Sequence, residues 1–309
     1  MIEILLATYN GEKFLAQLLE SLFSQTIQDF QLLIRDDGST DNTPGIIETY
    51  RQKYPGRITV ISDNKKNVGA TQNFGILLQQ STAEYIFFCD QDDVWLPDKI
   101  EISLKILKEL ELQNPGKACM VYSDMKLIND EGELLSNSEW KELELDPRYF
   151  VFNRLLIQNI PHGCTMAFNK QMRDLVTPIP AGAMLHDHWI ALVAAALGVN
   201  RAILEPTMLL RFHEKNVTRK AYTFSDLVKR FAGNALSDEE YEKMVEKRVN
   251  QAKAVKNRYE KQLSPEQIHT LNQLVQLGDT RGLRRMLIYL QNGFFRTTFR
   301  HTLKMILRS

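Results

Sequence analysis

Residues 84–95 read E-Y-I-F-F-C-D-Q-D-D-V-W, an apolar run that turns acidic at Asp90. The run from Glu84 to Cys89 has the length of a strand and is apolar at successive positions, the pattern of a strand buried on both faces of a parallel sheet. Working outward, Ile2 to Thr8, Phe30 to Arg35, Arg57 to Ser62 and Ala118 to Ser123 repeat it. Segments with helical periodicity lie between these runs, near residues 12–25, 43–54, 70–80 and 97–113. Strands alternating with helix-length crossovers predict an α/β chain with a Rossmann-like, mostly parallel sheet flanked by helices. In such sheets ligands bind beyond the carboxyl ends of the strands. Thr8-Tyr9-Asn10, Asp36-Asp37-Gly38-Ser39 and Asp90-Gln91-Asp92-Asp93 each follow a strand run there, so one rim is expected to carry the site.

Helix boundaries carry their own signals. Asp41 or Asn42 can cap a helix beginning at Pro44, and Pro97 suits the first turn of the next long one. From about 126 to 215 the pattern is irregular, with a turn at Asn129 to Gly132, strand-like Cys164 to Phe168, a helix from about Asp187 to Leu197 and strand-like Thr207 to Phe212. Beyond about Tyr222 the chain reads as helix, with capping boxes at Ser237/Glu240 and Ser264/Gln267. A catalytic domain over residues 1–217 and a helical region over 218–309 are expected. The 309 residues suffice for one large domain plus an appendage.

Lys+Arg and Asp+Glu both number 38, so overall charge gives no reason to expect nucleic-acid binding. Cys89, Cys119 and Cys164 are dispersed in apolar runs, as reduced buried thiols of a cytoplasmic protein are. The longest apolar stretch, Ile190 to Val199, is about half of the ~20 residues that cross a bilayer, and no signal peptide is recognised at the start.

Three carboxylates within four residues (Asp90, Asp92, Asp93) repel one another unless a cation lies among them, and Mg²⁺ or Mn²⁺ suits hard oxygen ligands shared with a diphosphate. Asp37 can accept the imide N–H of a uracil or thymine ring, although D-D-G-S alone is equally a turn and helix cap. The spacing among clusters is what favours a site.

A-T-Y-N at 7–10, D-D-G-S-T-D at 36–41, N-V-G at 67–69 and D-Q-D-D-V-W at 90–95 resemble the signature of family 2 inverting glycosyltransferases with the GT-A fold. The resemblance runs through about residue 215. Within that family H-D-H-W at 186–189 and R-F-H-E-K-N-V-T at 211–218 are similar to bacterial rhamnosyltransferases of cell-wall and capsular polysaccharide assembly. The family often has Pro where this chain has Ala7. It implies a nucleotide-sugar site with Thr8, Tyr9 and Asp37 on the nucleoside, Asn10, Asn67, Gly69 and Gln91 beside it, Asp90 and Asp92 on base, ribose and metal–diphosphate, Asp92 as metal ligand, and Asp187 as catalytic base. The Q-x-x-R-W signature of processive synthases is missing from the sequence, which favours single-sugar addition.

An inverting displacement needs one carboxylate to take the acceptor proton while a metal stabilises the departing diphosphate, and Asp187 fits the first role. His186 and His188 without a third ligand make a weak zinc signal; one is expected to be structural and the other to line the site. His213 is a late metal ligand, a donor to the diphosphate or merely a histidine ending a strand. His162, His188, Trp95 and Trp189 are candidate acceptor or sugar contacts, the tryptophans being equally suited to a core.

After Asp279 there are seven basic residues and no acidic one. A terminal helix would place Phe295, Phe299, Leu303 and Ile306 on one face, beside Arg296, Arg300 and Lys304. Residues 279–309 then make a peripheral membrane contact or pack on the chain's own domain or a second subunit, as in a homodimer. The expected activity is L-rhamnose transfer from dTDP-β-L-rhamnose to a lipid-linked glycan on the inner face of the cell membrane, with Mg²⁺ or Mn²⁺. Alternatives are a UDP-hexose or UDP-N-acetylhexosamine donor, or a binding protein without turnover. A nucleotidyltransferase lacks support, since no Gly-rich, Lys/Arg-containing loop is recognised near the start.

Overall fold

The computed structural model describes residues 1–212 and 237–307, so the expected ligand His213 lies outside the described residues. Its centre is a sheet of β1 (Ile2–Thr8), β2 (Gln31–Asp36), β3 (Ile58–Val60), β4 (Tyr85–Asp90), β5 (Val94–Trp95), β6 (Cys119–Ile128), β7 (Leu134–Ser136), β8 (Met166–Asn169) and β9 (Val199–Arg211). The spatial order is β3-β2-β1-β4-β8-β6-β9-β5, with β7 paired to β6. β1 to β4 run parallel; β8 is antiparallel to both β4 and β6, which returns β6 and its parallel neighbour β9 to the first direction. This is the mostly parallel α/β sheet that the sequence pattern predicts.

Helices α1 (Leu15–Phe23), α2 (Thr43–Lys53), α3 (Ala70–Gln80) and α4 (Lys99–Gln113) are the crossovers. α1 buries Leu15, Leu18, Leu19 and Leu22, the spacing of one helical face. Ile4, Leu5 and Leu6 of β1 are wholly buried, as a central parallel strand requires. Short α5 (Glu139–Glu142), α6 (Phe152–Leu155) and α7 (Lys170–Val176) precede α8 (His186–Leu197), whose residues 186–194 are all buried. β9 extends eight residues further toward the N-terminus than Thr207; its half-buried Val199–Ala202 carries Asn200 and Arg201, which mask a strand pattern, and register shifts near Asp124 accommodate the extra length.

Beyond the undescribed segment come α9 (Asp238–Tyr259), α10 (Pro265–Gln276), α11 (Gly282–Gln291) and α12 (Phe299–Ile306). Both expected capping boxes form, at Ser237/Glu240 and Ser264/Gln267. These helices are seamed to the sheet-bearing body. Arg248 donates to Ile157 O at 2.6 Å, Gln251 Oε1 accepts from Met184 N at 2.8 Å, Tyr259 donates to Leu175 O at 2.6 Å, and Gln267 donates to Ala196 O at 3.0 Å. Val245, Ala252, Val255, Leu271 and Leu274 join the same continuous apolar core as the sheet. Contrary to the single apolar face expected of the tail, Ile306 and Met305 are buried while Leu303 is exposed.

Candidate active site

The strand register lines up the three polar clusters. Thr8 pairs with Asp36 and Ala7 with Asp90, so the ends of β2, β1 and β4 stand side by side. They open into a cavity of about 460 Å³ that gathers Thr8, Tyr9, Asp37, Asn67, Gly69, Asp90, Gln91, Asp92, His162 and Asp187. Ten of the fourteen described candidate residues thus meet on one surface.

The loops around the cavity are held by side chains that the motifs themselves provide. Asp36 accepts from Thr8 Oγ1 at 2.9 Å and from Ser39 N at 2.8 Å. Asn10, with φ of 49°, accepts from Thr40 N at 2.8 Å; its amide oxygen ties two loops together and the residue does not line the cavity. Gln91 Oε1 accepts from Tyr9 N at 2.8 Å while its Nε2 donates to Tyr9 O at 2.9 Å, which fixes the exposed Tyr9 at the mouth. Asn67 and Gly69 take left-handed φ values of 56° and 81°. That turn aims Val68 N and Gly69 N at Asp37, at 3.0 and 2.9 Å.

Beneath Asp37 lies Arg35, which motif reading passed over. Its buried guanidinium donates to Asp37, Asn73, Asp63 and Lys65 O, at 3.1, 3.0, 2.8 and 2.7 Å. A cation ending an apolar strand beside an acidic pair was the available signal. With three donors on Asp37, one of its roughly four acceptor positions remains for a ligand.

The acidic rim is electrostatically strained. Burial, with Asp92 and Asp187 nearby, pushes Asp90 up to about 7. Asp93 is also pushed up, chiefly by burial, and one of its carboxylate oxygens has no hydrogen-bond partner while the other accepts from Arg211 N at 3.2 Å. Lys99 lies buried below, donating to Cys164 O at 3.0 Å, and burial pushes it down to about 8. The donor atoms of Asp90, Asp93 and Cys164 fall within 4.8 Å of one another. Burial holds Cys164 as a thiol, a poor ligand for a hard cation, so carboxylate crowding is what fits Mg²⁺ or Mn²⁺ here.

Asp187 occupies the first turn of α8 and accepts from Gly163 N at 3.3 Å. A Cβ on Gly163 would come within 2.4 Å of His186 Nε2, so the close approach of these two segments requires glycine. His186, not His188, lines the cavity; it stacks on Phe74 at 4.2 Å, and burial keeps it below the usual histidine range. His188 is corrected to a structural role, because its ring meets Leu155 O inside the body. Trp95 and Trp189 are likewise corrected to core positions. Trp95 is 2% exposed under Lys99, and Trp189 is wholly buried, donating to Val176 O at 3.0 Å, so neither ring can reach a sugar. His162 faces the cavity with its Nε2 3.2 Å from the buried carboxylate of Glu139, a pairing not foreseen.

The family model described as glycosyl transferase family 2 matches residues 3–173, more than half of the chain. The chain is 28% identical over 236 residues to the dTDP-rhamnosyl transferase RfbG of Shigella flexneri, covering 73% of this chain and 77% of that protein. It is 36% identical over 138 residues to Escherichia coli chondroitin synthase, covering 44% of this chain and 19% of the relative. Among solved structures, S. aureus TarS 1–349 in complex with UDP-GlcNAc superposes with a TM-score of 0.59 at 17% identity, over 94% of this chain and 80% of that one. The Pyrobaculum calidifontis mannosyltransferase PcManGT in complex with GDP-Man and Mn²⁺ gives 0.54 at 15% identity, over 99% and 85%. At these identities the solved structures speak for the fold.

Proposed function

The chain belongs to glycosyltransferase family 2, and from that membership we propose that it is a metal-dependent inverting enzyme transferring L-rhamnose from dTDP-β-L-rhamnose to a hydroxyl of a lipid-linked bacterial glycan. The observation that carries the reading is the meeting of Asp37, Asp90, Asp92 and Asp187 on one cavity.

In this reading Asp37 accepts the imide N–H of the base, with Thr8 and Tyr9 against the nucleoside. Asp90 and Asp92 would hold Mg²⁺ or Mn²⁺, which when bound supplies charge neutralisation to the leaving diphosphate. Asp187 accepts the proton of the acceptor hydroxyl as its oxygen attacks the anomeric carbon from the face opposite the diphosphate. His162 and His186 border the space left for donor sugar and acceptor. The nucleotide-sugar donor and the buried free thiols fit the cytoplasmic side of a cell.

Calorimetric titration with dTDP, UDP and GDP, each with and without Mn²⁺, tests the donor. Metal-dependent selectivity for dTDP supports rhamnosyl transfer. Selectivity for UDP supports the second reading, a UDP-hexose or UDP-N-acetylhexosamine donor, since uracil and thymine present the same imide edge to Asp37. Asp187→Asn is expected to keep nucleotide affinity and lose on the order of 10²–10⁴-fold in turnover; near-wild-type turnover would remove Asp187 from the base role.

A further inference from the structure

α11 and α12 each bury one face and leave another open. Arg285, Ile288 and Tyr289 of α11 and His301, Thr302, Met305 and Ile306 of α12 are buried. Outward stand Leu283, Leu287 and Leu290, one helical stripe exposed by 68, 44 and 46%, and Leu303 and Leu307, one turn apart, exposed by 42 and 73%. Single exposed leucines are ordinary; five in two stripes on adjoining helices are not. Exposed cations are interspersed with them, namely Arg284, Arg300 and Lys304, while Arg281 beside them pairs with Glu242 at 2.8 Å. Between Thr280 and Ser309 the sequence has no acidic residue.

We propose that this surface seats the protein on an anionic lipid bilayer, the leucines entering the headgroup–acyl boundary and the cations meeting lipid phosphates. Among the described residues no helix is long and apolar enough to cross a membrane, so attachment is peripheral. Charge decides between lipid and a second copy of the chain. A two-fold interface would set this basic surface against its own copy, like charge facing like. The cores of protein interfaces are depleted of charge, whereas here cations run through the apolar stripes. Anionic headgroups answer both features. The inference does not depend on which sugar is transferred.

The test is co-sedimentation of the full chain with vesicles of phosphatidylcholine and of phosphatidylcholine mixed with phosphatidylglycerol. Wild type is expected to pellet with the mixed vesicles and to be released by salt. Substituting Arg284→Gln, Arg300→Gln and Lys304→Gln together should weaken partitioning by about fivefold per cation. A second variant, Leu283→Ser with Leu287→Ser and Leu290→Ser, should lose it while keeping wild-type nucleotide binding, which shows that the chain is folded. Equal pelleting with both vesicle types, or concentration-dependent dimers abolished by the leucine changes without any vesicle binding, overturns the proposal.

Discussion

At Asp90 folding buries a carboxyl among other acids. Its folded value of about 7 lies above the ordinary carboxylate value of 3.8 because burial and two neighbouring acids penalise the charge. The folded chain therefore binds more protons than the unfolded one across that interval. Asp90's contribution to stability is intact below about pH 4 and is lost as pH rises through 7. Asp90→Asn should melt higher than wild type in a metal-free buffer at pH 8, with the gap closing toward pH 4. Mn²⁺ should raise the wild-type Tm and raise that of the variant less, because the added cation answers a charge the variant lacks. Thermal melts across pH, with EDTA or Mn²⁺, check both; an unchanged gap across pH refutes the electrostatic account. Asp90 and Asp187 were legible as residues from their motifs. His186 and His188 were not separable, because positions two apart on a helix buried all round differ only in what the surrounding chain places beside them.

At the scale of elements, the Asp37 side of the cavity depends on Arg35, which joins β2 to the loop at 63–69 and to α3. The N-V-G motif enters the sequence reading only through the family resemblance, and its structural purpose emerges when Val68 N and Gly69 N reach Asp37. Arg35→Met strands Asp37 without its buried cation and should cost about 3 kcal/mol or more. It should also weaken dTDP or UDP binding by at least about tenfold, as Asp37 and the loop lose their common anchor. Urea denaturation and nucleotide titration measure the two effects; lost stability with wild-type affinity would separate Arg35 from the site. The short elements β5, β7, α5 and α6 escaped sequence reading because two to four residues show no periodicity.

For the whole molecule, the question is whether residues 238–307 form a separate unit, as their helical pattern suggests. The shared core argues for one cooperative body. Leu271 of α10 is wholly buried, and Leu271→Ala should cost roughly 2–5 kcal/mol. Trp95 and Trp140 lie in the sheet-bearing part, whereas Trp189 also meets Tyr259 of α9 at 5.9 Å, so in a Trp189→Phe background fluorescence reports on that part alone. A single urea transition whose fluorescence midpoint falls with the α10 substitution supports one folding unit. A fluorescence midpoint that does not move, beneath an earlier circular-dichroism transition, means that the helices unfold by themselves.

Local order was set by the sequence wherever the physics is local. The doubly buried strands, the crossover helices, both capping boxes and the polar clusters at strand ends follow from short-range pattern, since burial on two faces and helix capping each leave a mark within a few residues. Tertiary structure decided what depends on distant chain: that Trp95 and Trp189 are core, that His186 rather than His188 borders the cavity, that Arg35 anchors Asp37, and that Ile306 turns inward while Leu303 turns out. Residue type fixes what a side chain can do. Only the packing of segments far apart in sequence fixes whether it meets a partner, the core or solvent.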